Sequence, residues 1–296
     1  ERYLHSLFGR KQPIRAPLKP KYITGHRTIS LDGNGLLVIA AAHYYLKTED
    51  RKFLDQVDSG LTRALDWMGT FARADGLLHQ GPFTDWADTV ARRGVVLYTN
   101  VVYWRALDLV ATLRSSADLR ERAERVRQAI LDVLWIPQDG YFATCPNMPI
   151  LNSDGNSLAV AWGMVEGEQA QRILDAMDAR GMAGPVPTRC TDRPYPRGLV
   201  GFENYLAGIP NYHMSAAWMW LGSWHAVALL QAGRRERALE LLHAMDHHVV
   251  QDGIVYEVYG TDGHPLSTVW YGSEAPLTWN AAMLLYAHKK VAGHVH

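Results

Sequence analysis

Cysteine is scarce in this 296-residue chain. Cys145 and Cys190 give neither a disulfide framework nor a metal-ligand spacing, which fits a reducing compartment and an inert role for both thiols; a cytoplasmic protein is expected. An excess of one charge is also missing. Thirty basic residues cancel thirty acidic ones, and no basic run or stripe appears, which argues against nucleic acid as a partner. Long apolar runs are absent as well: the richest, LLVIAAAHYYL, stops well short of the roughly 20 residues that cross a membrane, so no membrane partner is expected. The opening residues, ERYLHSLFGRKQP, lack the apolar core and cleavage site of a signal peptide. They read as the tail of a helix whose beginning lies upstream. Neither a Gly-rich phosphate cradle nor a nucleophile elbow is found, and no cofactor or metal is expected.

What is present is apolar and aromatic. With 48% hydrophobic residues, ten Trp and fourteen Tyr, the chain can bury one large core. The reading is a single domain over 1–296, with 1–31 as the helix remnant and a Pro-rich connector, QPIRAPLKPKY. From Asp32 onward, almost wholly apolar helices alternate with amphipathic ones. LDGNGLLVIAAAHYYLK precedes DRKFLDQVDSGLTRALDWMGTFA, in which Phe53, Leu54, Val57, Leu61, Leu65 and Met68 recur at helical spacing. An apolar helix from about Val95 to Leu113 precedes DLRERAERVRQAILDVLW. SDGNSLAVAWGMV precedes GEQAQRILDAMDAR, YHMSAAWMWLGSWHAVALLQAG precedes RRERALELLHAMDHHVV, and GSEAPLTWNAAMLLYAHKKV closes the series. The apolar helices should be inner and buried on most sides, their partners outer. Nine helices are read, as hairpins in a repeat of a length typical of repeat architectures. The long connections all enter inner helices, so a ring of hairpins gathers them at one end, and long ordered loops are commonly functional.

Two stretches carry candidate chemistry. FTDWADTVARRG places Asp85 and Asp88 around Trp86 before a buried helix; either carboxylate also suits a cap or turn. DGIVYEVYGTDG sets Glu257 between Tyr256 and Tyr259 in an alternating segment bounded by Gly253 and Gly260, where it suits a cross-strand ion pair or a tuned base. Glycoside hydrolysis requires two carboxyl groups flanking the scissile bond, one protonated and one ionised. Asp88 and Glu257 are candidates for those roles. Glu203 and Asp192, in the long central loop, are reserve candidates, and Glu274 suits the first turn of the last inner helix. His243, His247 and His248 have the i, i+4 spacing of a metal pair but lie on a charged outer helix with no third ligand evident.

These motifs, in this order, resemble the catalytic helical toroid of inverting α-glycosidases, the group that includes neutral/alkaline invertases and the amylo-1,6-glucosidase part of glycogen-debranching enzymes. More distantly the chain is similar to neutral trehalases and processing glucosidase I. ISLDGNGLLVIAAAHYY resembles the segment bringing an Asp to an inner-helix entrance, and DWADTVARRGVVLYTNVVYWRAL the W-x-D run of the general acid. YHMSAAWMWLGSW resembles the run lining the sugar pocket, and DGIVYEVYGTDG the run of the general base. The resemblance covers about Asp32 to the end. It implies an all-α (α/α)6 toroid, its ring open to being incomplete at the N-terminus, that hydrolyses an α-glucosidic or related α-glycosidic bond by single displacement. Asp88 is then the acid and Glu257 the base, about 6.5–9.5 Å apart to admit water. Trp86, Tyr212, Trp218 and Trp279 are expected to offer apolar faces to a sugar ring, and Asp32, Arg92, Arg93, Asn100 and His213 to hydrogen-bond its hydroxyls.

Relatives carry an Arg-Asp pair on an earlier inner helix, which nothing before Asp32 matches, and six hairpins need twelve helices. A missing N-terminal segment or a partner chain is therefore expected to complete the ring. Two other functions stay open at this point: a non-catalytic sugar-binding or assembly protein on the same scaffold, and an epimerase of the N-acylglucosamine epimerase type, whose chemistry favours paired pocket histidines where only His213 is well placed.

Overall fold

The computed structural model describes residues 24–293, together with the backbone of two short strands nearer the N-terminus. These strands, β1 (Arg2–His5) and β2 (Lys11–Ile14), pair antiparallel with Arg2 opposite Ile14. The expected helix remnant is thus replaced, where the backbone is described, by a hairpin. Pro13 lies within β2; proline has no N–H to give to a helical turn, whereas an edge strand tolerates it. The rest of the expected connector up to residue 23 lies outside the described residues.

Five inner helices follow: α1 (Asp32–Thr48), α3 (Leu97–Arg114), α5 (Ser153–Ala161), α8 (Met219–Gln231) and α10 (Thr278–Gly293). Four outer helices, α2 (Arg51–Gly69), α4 (Ala117–Leu134), α6 (Gly167–Ala179) and α9 (Arg235–Asp252), pair with the first four. Inner helices pack in series, α1 on α3, α3 on α5, α5 on α8 and α8 on α10. This is the hairpin order of an (α/α)6 toroid. The series packs closely because glycines sit at the crossings: a Cβ on Gly155 would lie 2.5 Å from Leu97 Cγ, and one on Gly35 2.6 Å from Val102 Cγ1.

Inner-to-outer turns are short, and two of the four outer helices carry a side-chain cap. Asp50 accepts a hydrogen bond from Phe53 N (3.0 Å) at the start of α2, and Ser116 from Leu119 N (3.3 Å) at the start of α4, each satisfying a backbone donor that the helix leaves free. The outer-to-inner connections, residues 70–96, 135–152, 180–218 and 253–277, are long and enter inner helices at the same end. Between α4 and α5 the chain builds a small antiparallel sheet, β3 (Trp135–Ile136), β4 (Tyr141–Cys145) and β5 (Met148–Leu151). The 180–218 connection carries the short helix α7 (Phe202–Leu206).

Three expectations need correction. Helix α8 starts at Met219, not at Tyr212, because Ala217 exchanges two backbone hydrogen bonds of 2.9 Å with Tyr259 and Ala216 accepts one from Cys190. The segment around Glu257 is extended but forms single bridges rather than a strand. Helix α1 is not buried on most sides: Leu36, Leu37, Tyr44 and Leu46 are exposed, with Leu37 at 63%. The helices that α1 packs on most are α3 and α2.

Candidate active site

The loop from Gly81 to Val95 is pinned from both sides. Leu31 N donates to Thr84 O (2.9 Å), which fastens it to the entrance of α1, while Ala91 N donates to Leu199 O (2.6 Å) and Gly201 N to Thr89 O (2.7 Å). Within this frame Arg92, 1% exposed, is the hub. Its Nε and Nη2 donate to the Asp85 carboxylate at 2.8–3.0 Å, and its Nη1 donates to Asp154 Oδ2 at 2.8 Å. Gln80 Nε2 adds a bond of 2.7 Å to Asp85. Burial alone lowers an arginine's pKa, but Asp154 and Asp85 hold this guanidinium well above its ordinary value. Removing one member of such a buried pair leaves an uncompensated charge, typically a loss of about 3–5 kcal/mol.

Asp32, on the first turn of α1, accepts from Trp86 N at 3.1 Å and from Ser30 Oγ at 3.3 Å. Burial, and then the Asp85 charge, push its pKa up to about 6. Asp154 also accepts from Trp86 Nε1 at 2.7 Å, so the backbone and the indole of Trp86 are both fixed by buried carboxylates.

Trp86 is the centre of an aromatic wall. Its ring lies 4.7 Å from Trp220, 5.0 Å from His213, 5.7 Å from Trp218 and 6.3 Å from Trp279. Trp279 stacks on Trp220 at 4.7 Å, and His213 stacks on Trp218 at 5.7 Å. Trp218 Nε1 donates to Tyr212 O at 3.1 Å. His213 Nδ1 shares a 2.8 Å hydrogen bond with Thr89 Oγ1, and burial followed by the Arg92 charge lowers its pKa to about 3, so the ring is neutral.

The two expected catalytic carboxyls stand on different loops, Asp88 two residues after Trp86 and Glu257 on the connection that leads into α10. Asp88 is exposed as a residue, yet the protein around its carboxyl desolvates it enough to raise its pKa; the positive charge of His26 opposes the rise, while Asp85 and Glu203 add to it. His26 Nε2 and Glu203 Oε1 are 2.8 Å apart, and the His26 ring stacks on Phe83 at 3.8 Å. Glu257 is half-buried and accepts from Tyr271 OH at 2.6 Å. Tyr212 hydrogen-bonds both Glu257 and Tyr271; burial, then Tyr271 and Glu257, push its phenol well up. Its ring lies 5.1 Å from Trp218, which links Glu257 to the wall that begins at Trp86. Backbone bonds fix the Glu257 position: its N–H donates to Glu274 O, and Asn280 Nδ2 donates to its carbonyl, both at 2.8 Å.

Of the residues singled out in the sequence, Asp32, Trp86, Arg92, Tyr212, His213, Trp218 and Trp279 are brought together here; Glu257 joins them through Tyr212, and Asp88 lies in the electrostatic reach of Asp85. Two expected sugar ligands do other work. Arg92 spends its donors inside the ion-pair cluster. Asn100 is 0% exposed; its amide accepts from Leu78 N (2.8 Å) and donates to Leu78 O (3.2 Å) and Val96 O (2.9 Å). Arg93 is exposed on the same loop. The reserve candidates separate as well: Glu203 approaches Asp88 through His26, whereas Asp192 accepts from Leu151 N (3.0 Å) and from Arg180 (3.2 Å) as a tie between loops. Cys145 and Cys190 are buried free thiols whose pKa burial raises. Among the described residues no group of three His, Cys, Asp or Glu side chains is placed to hold a metal ion, and no helix is long and apolar enough to cross a membrane.

Asp154, Tyr98, Trp220 and Tyr271 belong to the site and escape the sequence reading. For Asp154 a signal exists, since D-G-N occurs at residues 32–34 and again at 154–156, each time opening an inner helix.

No family model matches the chain, and no curated protein matches it. Solved structures do. A rhamnosidase from Klebsiella oxytoca with rhamnose bound superposes with a TM-score of 0.68 at 16% identity, over 95% of this chain and 50% of that one. A GH63 mannosylglycerate hydrolase from Thermus thermophilus, in complex with Tris and D-glycerate, gives 0.66 at 15% identity, over 86% and 77%. A GH78 family rhamnosidase of Bacillus sp. GL1 gives 0.64 at 16% identity, over 88% and 26%. The chain thus spans half the length of the Klebsiella enzyme. At these identities the likeness shows the fold, the helical toroid of these glycosidases.

Proposed function

We propose that the protein is a glycoside hydrolase that cleaves an α-glucosidic or related α-glycosidic bond with inversion. The observation that carries the reading is an aromatic wall with a carboxyl on each of two loops that build it: Asp88 follows Trp86 by two residues, and Glu257 bonds Tyr212, whose ring lies 5.1 Å from Trp218. Asp88 is pushed by desolvation toward the protonated form, as a general acid requires. Glu257 accepts a hydrogen bond of 2.6 Å from Tyr271 OH, which fixes one of its carboxyl oxygens and leaves the other to meet water, the geometry a general base requires. That the fold is shared with glycosidases adds support, although a fold hosts many activities.

In the proposed reaction Glu257 takes a proton from water as the water oxygen bonds to the anomeric carbon. The bond from that carbon to the leaving oxygen breaks, and Asp88 gives its proton to that oxygen. One water is consumed, and the two carboxyl groups return to their starting states by exchanging a proton with solvent. The wall of Trp86, Trp218, Trp279 and Tyr212 supplies apolar faces for a sugar ring.

The experiment is proton NMR of the purified chain with a panel of α-glucosides, following the first-formed anomer. β-Glucose is expected from the wild type, with at least about a hundredfold loss in Asp88→Asn and in Glu257→Gln, the scale of acid–base assistance. Full activity in either variant removes that residue from its role; α-glucose as the first product removes the inverting mechanism.

A further inference from the structure

Two segments that each carry a residue of the site also expose large apolar side chains next to it in the chain. On α7, Phe202 and Leu206 are 70% and 62% exposed; four residues apart, they share one face of the helix. Between them in sequence, Glu203 reaches back to His26 beside Asp88. The second segment is the turn from Thr268 to Tyr271, closed by Thr268 N donating to Tyr271 O at 2.8 Å. Its tip, Val269 and Trp270, is 89% and 68% exposed, while Tyr271 reaches inward to Glu257.

The two segments touch. Thr268 Oγ1 donates to Ala207 O at 2.6 Å, and a Cβ on Gly208 would meet Thr268 Cγ2 at 3.4 Å. The two exposed apolar pairs therefore flank one contact, between a segment that reaches Asp88 through Glu203 and His26 and one that reaches Glu257 through Tyr271. Exposing these side chains to water costs free energy that a ligand crossing the mouth recovers.

We propose that Phe202, Leu206, Val269 and Trp270 form a platform for the leaving-group half of the substrate, and that this half is an uncharged alkyl or aryl aglycone. The proposal rests on the hydrolase reading of the same site. The chemistry of the surface selects the occupant. A further sugar ring needs hydroxyl partners around a flat face, whereas Leu206 and Val269 offer aliphatic surface with neither donor nor acceptor. A charged aglycone gains nothing from these four side chains.

The test uses methyl and octyl α-glucoside, the latter below its micellar concentration, with the wild type and with Phe202→Ser/Trp270→Ser. Alkyl leaving groups differ little in intrinsic reactivity, so chain length reports contact. Both substitutions are at exposed positions, and a matching Tm shows that the fold is retained. Calorimetric Kd and turnover are measured for every pair. The wild type is expected to favour the octyl glucoside by at least about tenfold in Kd and in kcat/KM, what burying roughly two methylene groups supplies, and the variant to lose most of that preference. No chain-length preference in the wild type, or the same preference in the variant, overturns the platform, as does failure of either glucoside to bind. Sedimentation showing that the substitutions dissociate a dimer overturns it too, in favour of a second copy as occupant. The two readings separate cleanly: turnover without chain-length preference removes the platform and keeps the hydrolase, whereas preferential octyl binding without turnover keeps the platform and removes the hydrolase.

Discussion

Asp32 and Asp88 are both carboxyls whose pKa burial raises, yet they differ in what their oxygens face. Asp32 is 5% exposed and accepts from Trp86 N and Ser30 Oγ, so its job is to hold the loop. Asp88 lies open at the mouth, and its neighbours are charges: His26, Asp85 and Glu203. A general acid sets the alkaline limb of the pH profile of kcat/KM, because activity falls as it loses its proton. The His26 charge opposes protonation of Asp88, and Glu203 favours it. Replacing His26 by Gln removes the first effect and takes away the imidazole that Glu203 Oε1 meets at 2.8 Å, and both changes act in one direction. The alkaline limb is expected to move to higher pH in His26→Gln, measured at low ionic strength where surface charges are least screened. An unmoved limb, or one displaced to lower pH, rejects His26 as the residue that tunes the acid.

Three inner helices share one device at the scale of the element. Asn100, Asn156 and Asn280 stand in the first turn of α3, α5 and α10 and clasp the backbone of the loop that leads in. Asn100 pairs with both the N–H and the C=O of Leu78, and Asn156 does the same with Phe142 at 2.9 and 3.0 Å. Asn280 donates to the carbonyls of Tyr256 and Glu257, both at 2.8 Å. An amide side chain copies a peptide group, so it pins the backbone of each loop at one position. Asn100→Ala strands buried backbone groups at Leu78, at about 1–3 kcal/mol for each group left unsatisfied. The expected result is a lower Tm and faster hydrogen exchange at the Leu78 amide, with KM unchanged at temperatures well below Tm. A raised KM with normal stability would restore the sugar contact that the sequence suggested. The motif around Asn100 reports residue type and place, not which atoms the amide will find, and a resemblance cannot separate a ligand from a clasp. Helix order was legible for the opposite reason: alternating all-apolar and one-faced periodicity depends on local spacing, and it located all nine long helices among the described residues. The late start of α8 and the β3–β5 sheet were not legible, since both depend on backbone pairing between segments distant in sequence or on burial of both faces, as in the fully buried Tyr141–Cys145 strand. Asp154 could have been read from the repeated D-G-N.

Across the whole molecule the buried titratable groups make stability depend on pH, and the signs can be worked out. Burial lowers His213 to about 3 and His225 to about 4 from an ordinary 6.5. Between those values and 6.5 the unfolded chain binds protons that the folded chain refuses, so stability falls as pH drops through that window. Asp32 works the other way: raised to about 6 from 3.8, it makes the folded state the better proton binder between those values and gains stability on acidification. His213 and His225 against Asp32 leave roughly one proton taken up on unfolding, a slope on the order of 1.4 kcal/mol per pH unit between about pH 6 and pH 4; His43 and His79, also lowered by burial, add to it, and Asp88, raised, subtracts from it. His225 is the member that can be removed without touching the site. Its Nδ1 shares a 3.1 Å hydrogen bond with Thr188 Oγ1, and its Nε2 is buried without a partner, so an aliphatic side chain of similar size leaves one fewer unsatisfied nitrogen. Urea unfolding of the wild type and of His225→Leu at pH 7, 5.5 and 4.5 measures the effect. Wild-type stability is expected to fall steadily on acidification, and the His225→Leu curve to be flatter by up to one proton. Equal slopes in the two proteins would mean that His225 takes up no extra proton on unfolding, and the acid sensitivity would then belong to His213 and to the other histidines that burial lowers, His43 and His79.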